Sequence, residues 1–364
     1  MRGQAEEIPA TAARDQSLDA LRGALIIAVI VGHFPFQKLA GPTHDVVWAL
    51  GEIFYLFHVS AFFALSGVLV KPFKSWSNTV RGVAPLITAY LFWVLVSRAE
   101  YVTGLQWVRI ADLVVFANSR AINGIMWFLP VLVSLRLVMQ AYFSVPRPVR
   151  LLFLAVSAGT VLFHGEVERI HGWVPWGLDT AFYHLPIALA ARHLYLNRRP
   201  GDARFVVPAL LFLVAVAALY IFQPMGVLHR ILIADFVVPA NPPLYLALGV
   251  TVCALIVAAA RIRPPYFLVV AGLFSFPIYI LHAKLLQVGS GFIGIGGPWL
   301  SPILFVLLTA AATLIPVLVS AVASAVSFPL ARYFGMAPGS PDPRWRSLRS
   351  IFLRRDGGGP VQPT

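Results

Sequence analysis

The sequence predicts an all-α membrane protein, a polytopic transmembrane helical bundle of about ten helices with both termini in the cytoplasm. Its composition is the first reason. Hydrophobic residues make up 59% of 364 positions, charged residues only 12%, and the mean hydropathy is +0.80, whereas soluble domains are roughly 45–50% apolar and 25% charged. The second reason is that long apolar runs, most of them near the ~20 residues that cross a hydrocarbon core, alternate with polar connections.

The apolar runs fall at fairly regular intervals along the chain. The first covers residues 17–37, and the others cover 46–70, 83–103, 125–143, 151–163, 178–196, 205–222, 242–260, 266–288 and 302–330. We therefore expect a cytoplasmic N-terminal tail over 1–17, a membrane-embedded domain over 18–332 and a basic, Pro/Gly-rich cytoplasmic tail over 333–364. No internal repeat and no separate soluble domain is evident.

The charged connections predict the orientation. Cytoplasmic connections hold the excess of Lys and Arg, and every second connection is the basic one: Lys71, Lys74 and Arg81; Arg147 and Arg150; Arg198, Arg199 and Arg204; Arg261 and Arg263; then Arg332 and the tail. This topology explains the net charge of +13 better than a nucleic-acid partner does. The tail segment RWRSLRSIFLRR, with apolar residues among arginines, is expected to contact membrane lipids.

The first segment, SLDALRGALIIAVIVGHFPFQ, carries Arg22 at its mouth and His33 well inside. On an ideal helix the steps between them advance ~16 Å and leave the two side chains within roughly 20° of one another. Asp19, three residues before Arg22, lies on the same stripe and can pair with the guanidinium. A line of polar groups is thus predicted to enter the bilayer.

An ionisable group inside a membrane is expensive, which makes it a candidate functional residue. Neutral His33 could take a proton from a hydroxyl and later release it. Arg22 could stabilise a phosphate or a developing oxyanion, although anchoring at the inner surface is an equally simple explanation. The shared face with His33 favours the functional interpretation.

Other polar residues lie at membrane depth. Glu52 and His58 are six apart and share no helical face, and Ser66 with Gly67 suits close helix packing. We assign no role to Arg98, Glu100 or Arg136. Tyr279 and His282 share a face three residues apart, for which an interfacial belt is the simplest explanation.

Metal and disulfide chemistry are not indicated. The histidines are scattered over different segments without HExxH-like spacing, and the single cysteine, Cys253, excludes a disulfide framework. The connection over 164–179 groups acidic residues with tryptophans, which points weakly to a sugar.

Several motifs carry a resemblance. DALRGALIIAVIVGHF resembles the opening helix of the integral-membrane acyltransferase 3 family, whose hallmark is an arginine, ten residues, then a histidine. FHVSAFFALSGVLVKP, over 57–72, is similar to the FHMPLFFFLSG pattern of members identified as fucose 4-O-acetylases. MWFLPVLVSLRL from Met126 resembles the family's Trp-Phe-Leu segment, and FPIYILHAKL from Phe276 its late Tyr-x-x-His segment.

The resemblance implies an O-acyltransferase of the cell membrane, a multi-pass enzyme that moves an acyl group, usually acetyl from acetyl-CoA, to a carbohydrate hydroxyl on a glycan or glycolipid. It makes His33 the essential histidine and Arg22 its partner. It also gives Lys71, Lys74 and Arg81 to the CoA phosphates, although VRGVAP departs from the family's run ending in Arg-Ile-Tyr-Pro. The residues expected to bind or support the substrate are Asp19, His58, Ser66, Trp127, Tyr279 and His282.

Alternatives remain open at this point. The acyl group could be succinyl, or the acceptor a macrolide or another small metabolite. A glycolipid transporter or flippase is the alternative from a different class, since carriers also bury charges in many helices. The absence of inverted halves counts against a carrier.

Overall fold

The computed structural model describes residues 15–117, 124–163, 174–197, 242–260, 264–293 and 297–326, and all regular secondary structure in these ranges is helical. The α-helices in chain order are α1 (Gln16–Gly32), α2 (Pro42–Leu69), α3 (Trp76–Ser97), α4 (Ala99–Thr103), α5 (Trp107–Ala111), α6 (Phe128–Ser144), α7 (Arg147–Leu162), α8 (Leu178–Leu196), α9 (Pro242–Ala259), α10 (Tyr266–Leu273), α11 (Ser275–Ile293) and α12 (Gly297–Val326). Single turns of 3₁₀ helix cover Phe36–Lys38, Gly124–Trp127 and Pro175–Gly177, and a π-helical turn covers Asp112–Phe116.

The predicted all-helical fold is confirmed for these residues. Each apolar segment within the described ranges coincides with helix, whereas segment 205–222 and both tails lie outside them. By length and composition, three described helical spans could each cross a membrane: Trp76–Ser97, Ile125–Ser144 and Trp299–Ala323. The pair α10 and α11 makes a fourth if it counts as one span. The number of crossings and the side of the termini stay predictions.

Helix α1 begins where its sequence supplies a cap. The Asp15 carboxylate accepts a hydrogen bond from the Ser17 backbone N–H at 2.9 Å and also accepts one from the Tyr195 hydroxyl at the end of α8. Asp19 lies in the first turn, where a negative charge is favoured by the helix dipole. The helix ends at Gly32, with His33 as its C-terminal cap.

Helix α1 lies at the centre of one half of the bundle and packs against α2, α9, α10, α11 and α12. Its closest neighbour is α10, because a glycine on each helix lets the backbones touch. A Cβ added to Gly23 would stand 2.8 Å from the carbonyl carbon of Leu268, and one added to Gly272 would stand 2.6 Å from that of Asp19. Small residues at a helix crossing of this kind drive packing in membranes.

The segment predicted as one span over 266–288 is in fact two helices. Helices α10 and α11 meet at a bend of 83° around Phe274. Pro277 explains the position of the bend, since proline lacks the N–H that would bond to the carbonyl four residues back, at Leu273. The bend turns α11 across the bundle and leaves α10 beside α1.

Helix α8 occupies the corresponding position in the other half and packs against α2, α6, α7 and α9. It meets α2 at Gly67, where an added Cβ would lie 2.8 Å from the Cβ of Ala188. The packing role predicted for Gly67 is therefore confirmed. Helix α12 is different, because only 17% of its span is buried and leucines such as Leu307, Leu314 and Leu318 face outward, as a lipid-facing helix requires.

Candidate active site

Three histidines from three helices meet in the half of the bundle built around α1. They are His33 at the end of α1, His58 on α2 and His282 on α11. The His33 ring centroid lies 5.2 Å from that of His282 at an interplanar angle of 70°, and 6.4 Å from that of His58 at 74°. His58 and His282 are buried and His33 is partly buried. We call this group the imidazole cluster.

Backbone carbonyls fix the tautomer of each ring. Nδ1 of His33 lies 2.9 Å from the Val29 carbonyl oxygen, Nδ1 of His58 lies 2.6 Å from that of Phe54, and Nδ1 of His282 lies 2.6 Å from that of Tyr279. A carbonyl oxygen only accepts, so Nδ1 must carry the hydrogen and donate. In the neutral ring Nε2 then bears a lone pair. Because each Nδ1 faces its own helix, each Nε2 points away from it.

Aromatic rings close one side of the cluster. The Tyr279 ring centroid lies 6.1 Å from that of His282 and 5.5 Å from that of Phe128. The Tyr279 hydroxyl donates to the Ile125 carbonyl oxygen. Phe128 stacks on Phe63 at 4.8 Å. Apart from the Tyr279 hydroxyl, which is already hydrogen-bonded, this wall is apolar. It therefore excludes water and strengthens electrostatic interactions among the imidazoles.

A second group of charges lies nearer the predicted cytoplasmic side. Arg22 pairs with Asp19 at 3.4 Å, as the sequence predicts. Arg136 on α6 lies near enough for its charge to interact with that of Arg22, and it donates from Nη1 to the Gly82 carbonyl oxygen on α3 at 3.1 Å. Its buried Nε has no hydrogen-bond partner among the described residues. We call Arg22 and Arg136 the cationic pair.

The cationic pair brings two positive charges within interaction range of each other. Arg22 pairs with the Asp19 carboxylate, and the charge of Arg136 interacts with that of Arg22. Like charges in an apolar bundle repel one another and are costly unless an anion joins them. The arrangement is therefore suited to bind an anion with planar oxygen groups, which the guanidinium fork recognises.

The two groups occupy different levels of the bundle. Arg22 and His33 both belong to α1, which stays helical up to Gly32, so their backbones are separated by ~16 Å along its axis. The polar line that the sequence predicts on α1 therefore corresponds to two separate sites in the structure. One is cationic, one is made of imidazoles, and a single helix sets the distance between them.

The remaining predicted residues lie elsewhere. Ser66 lies eight residues beyond His58 on α2, hence ~12 Å along its axis. Trp127 contacts Phe63 and Phe128 of the aromatic wall, with ring centroids 6.5 Å and 6.1 Å apart. Lys71, Lys74 and Arg81 are exposed on and just beyond the connection between α2 and α3. Among the described residues no group of His, Cys, Asp or Glu is arranged to hold a metal.

Spacing along the sequence missed two parts of this arrangement. Arg136 received no role, because its partner Arg22 is on another helix and no spacing within α6 reveals it. For His282, spacing favoured an interfacial belt and only the family resemblance made it a substrate residue, whereas it is fully buried beside His33. For Arg136 the sequence did contain a signal, since an arginine in the middle of an apolar run is costly and therefore rarely without a role.

Comparison with known proteins gives the family. A family model described as an acyltransferase domain, that of the acyltransferase 3 family, matches residues 15–321. No curated protein and no solved structure shows a significant match to the chain. The matched region contains both the imidazole cluster and the cationic pair, and it covers most of the 364 residues. The chain belongs to the acyltransferase 3 family.

Proposed function

We propose that the protein is an O-acyltransferase of the cell membrane that moves an acetyl group from acetyl-CoA to a hydroxyl of a carbohydrate. The observation that carries the proposal is that the imidazole cluster and the cationic pair each have a member on α1, namely His33 and Arg22. Acyl transfer to a hydroxyl needs a base, and a CoA donor needs cations for its phosphates. The separation of ~16 Å along α1 suits a donor whose thioester is joined to its phosphates by a long arm.

His33 is the proposed base. Its Nδ1–H is held by the Val29 carbonyl at 2.9 Å, which leaves Nε2 to accept a proton. The carbohydrate hydroxyl gives that proton to Nε2 while its oxygen attacks the thioester carbonyl carbon. The C–S bond then breaks, the acyl C–O bond remains, and the leaving thiolate takes the proton from His33. The imidazole returns to its neutral form with one ester and one free thiol formed.

The neighbouring rings favour this role for His33. His58 and His282 are within interaction distance of it and are committed to backbone carbonyls through Nδ1. Their other ring nitrogen, Nε2, is an acceptor in the neutral form. A thiolate is a stronger base than a neutral imidazole, so the proton that arrives on His33 moves to the sulfur once the thiolate has formed.

The cationic pair is the proposed site for the phosphates of the donor. An anion there would reduce the repulsion between Arg22 and Arg136 and would use the Nε of Arg136 that lacks a partner among the described residues. Lys71, Lys74 and Arg81, exposed on the predicted cytoplasmic side, are proposed to make the outer phosphate contacts. The thioester then extends along α1 toward His33.

The experiment compares transfer of labelled acetyl from acetyl-CoA into a membrane glycan fraction by the wild type and by His33→Ala. We expect His33→Ala to lose about 10²–10⁴-fold in rate, the usual contribution of a general base. His193→Ala, a matched change of an exposed histidine on α8, should keep wild-type activity. Equal labelling by wild type and His33→Ala would remove His33 from the mechanism.

A second comparison tests the donor site. Arg136→Met should raise the KM for acetyl-CoA at least about tenfold, since it removes a charge-assisted contact worth ~1.5–3 kcal/mol. Arg192→Met is the matched control, because Arg192 also donates to a backbone carbonyl, that of Val68 at 2.8 Å, but lies over the Phe143 ring. An equal rise in KM for both variants would contradict the assignment of the phosphates to the cationic pair.

A further inference from the structure

The ring of His282 presents a buried lone pair that no described residue uses. The residue is 0% exposed, and its Nδ1–H is directed to the Tyr279 carbonyl oxygen at 2.6 Å, with that of Ile278 at 3.2 Å. Nε2 has no hydrogen-bond partner among the described residues. Buried polar atoms are nearly always satisfied, so the missing partner of this atom is expected to be a ligand.

Among the described residues around His282, the hydrogen-bond donors are directed to other acceptors. The Nδ1–H groups of His33 and His58 are each directed to a carbonyl of their own helix. The Tyr279 hydroxyl donates to the Ile125 carbonyl. Lys284, further along α11, is exposed and donates to Gln287. A molecule that enters the cluster is therefore the candidate donor to Nε2, because no described residue donates to it.

The two substrates of the proposed reaction differ in what they can donate. The reacting end of a thioester presents a carbonyl oxygen and a sulfur, which only accept hydrogen bonds. A carbohydrate presents hydroxyl donors on adjacent carbons. His33 and His282 offer acceptors side by side, with ring centroids 5.2 Å apart. Two acceptors next to each other match two donors next to each other.

We propose that Nε2 of His282 accepts a hydrogen bond from the hydroxyl adjacent to the one that is acylated, so that the acceptor is a vicinal diol. The inference rests on the proposed function, because His33 is taken as the base for the reacting hydroxyl. His282 holds the second hydroxyl and thereby orients the first. A site that hydrogen-bonds a substrate hydroxyl rejects an analogue that lacks it, since its own polar atom is then left unpaired.

The first test uses two variants that divide the functions of the ring. In His282→Asn the amide nitrogen can still donate to the Tyr279 carbonyl, but nothing occupies the position of Nε2. In His282→Gln the amide oxygen can reach that position. We expect His282→Asn to lower kcat/KM for the glycan fraction about tenfold or more, and His282→Gln to keep kcat/KM within about threefold of wild type. The KM for acetyl-CoA should be unchanged in both variants. A rise in the KM for acetyl-CoA in His282→Asn would indicate that Nε2 accepts a hydrogen bond from an N–H of acetyl-CoA, and it would overturn the proposal.

The second test needs no variant. Periodate cleaves vicinal diols, so a membrane glycan fraction oxidised with periodate and then reduced should lose most of its capacity to accept labelled acetyl from wild-type protein. A portion treated with spent reagent is the control. Equal labelling of the two portions would overturn the vicinal diol while leaving acyl transfer established. Absence of label from both would instead overturn the proposed function, and the inference with it.

Discussion

Substitution of Gly272 by alanine tests the packing that fixes the site. A Cβ at Gly272 would overlap the carbonyl oxygen of Asp19 and lie 2.6 Å from its carbon, whereas Cβ atoms stay at least 3.0 Å from other atoms. The obstacle is backbone, which cannot rotate away as a flexible side chain can. Helix α10 must therefore move from α1, and its residues lose contacts with their neighbours.

The expected cost follows from this geometry. Overpacking of a rigid contact costs ~1–3 kcal/mol, and alanine recovers up to about 1 kcal/mol of helix propensity relative to glycine. Gly159 on α7 provides the control, because nothing lies within 4 Å of its added Cβ. Gly159→Ala should gain stability by up to about 1 kcal/mol. Because the gain in helix propensity is common to both variants, they should differ by the overpacking cost itself, ~1–3 kcal/mol.

Thermal unfolding of the detergent-solubilised full chain measures this difference. Gly272→Ala should unfold at a lower temperature than the wild type, and Gly159→Ala at the same or a higher one. Labelled acetyl transfer should fall with Gly272→Ala, since Asp19 pairs with Arg22 one turn along α1. If Gly272→Ala is as stable as Gly159→Ala, the close approach of α1 and α10 does not occur.

Two more predictions concern packing around the site. Tyr279→Phe removes the hydrogen bond to a backbone carbonyl and should lower the free energy of unfolding by ~1–3 kcal/mol, measured by thermal or denaturant unfolding. Acetyl transfer should stay near the wild-type rate, because the aromatic ring remains. Loss of transfer without loss of stability would contradict this prediction. Gly67→Ala places a Cβ 2.8 Å from that of Ala188 and should destabilise the protein by ~1–3 kcal/mol. Adding Ala188→Gly should recover part of that loss. Strictly additive effects of the two substitutions would show that α2 and α8 do not meet there.

Much of the fold could be predicted because each helix carries its own signals. Asp15 before an apolar run and the spacing of Arg22 and His33 describe α1 without any tertiary information. Pro277 signalled the break between α10 and α11, but an apolar run across it hid the signal. The direction of a side chain relative to other helices has no local signal of this kind.

The candidate site likewise contains residues that a local signal identifies and residues that only the tertiary packing identifies. His33 could be identified because its cost in a membrane depends on its own position. His58 and His282 could be quoted as motif residues, but their meeting with His33 depends on the crossing of three helices. Arg136 depends likewise on Arg22, from a helix more than a hundred residues earlier in the chain.

The 83° bend divides a long rod into two pieces, and the shorter one, α10, is clamped to α1 through Gly23 and Gly272. A straight rod tilts as a whole when the bilayer becomes thinner or thicker, and it carries all its side chains along. Because of the bend, α11, which carries His282, need not follow the tilt of α10. Bilayer thickness would therefore act on the imidazole cluster through α11 and its neighbour α12, and not through the clamped α10.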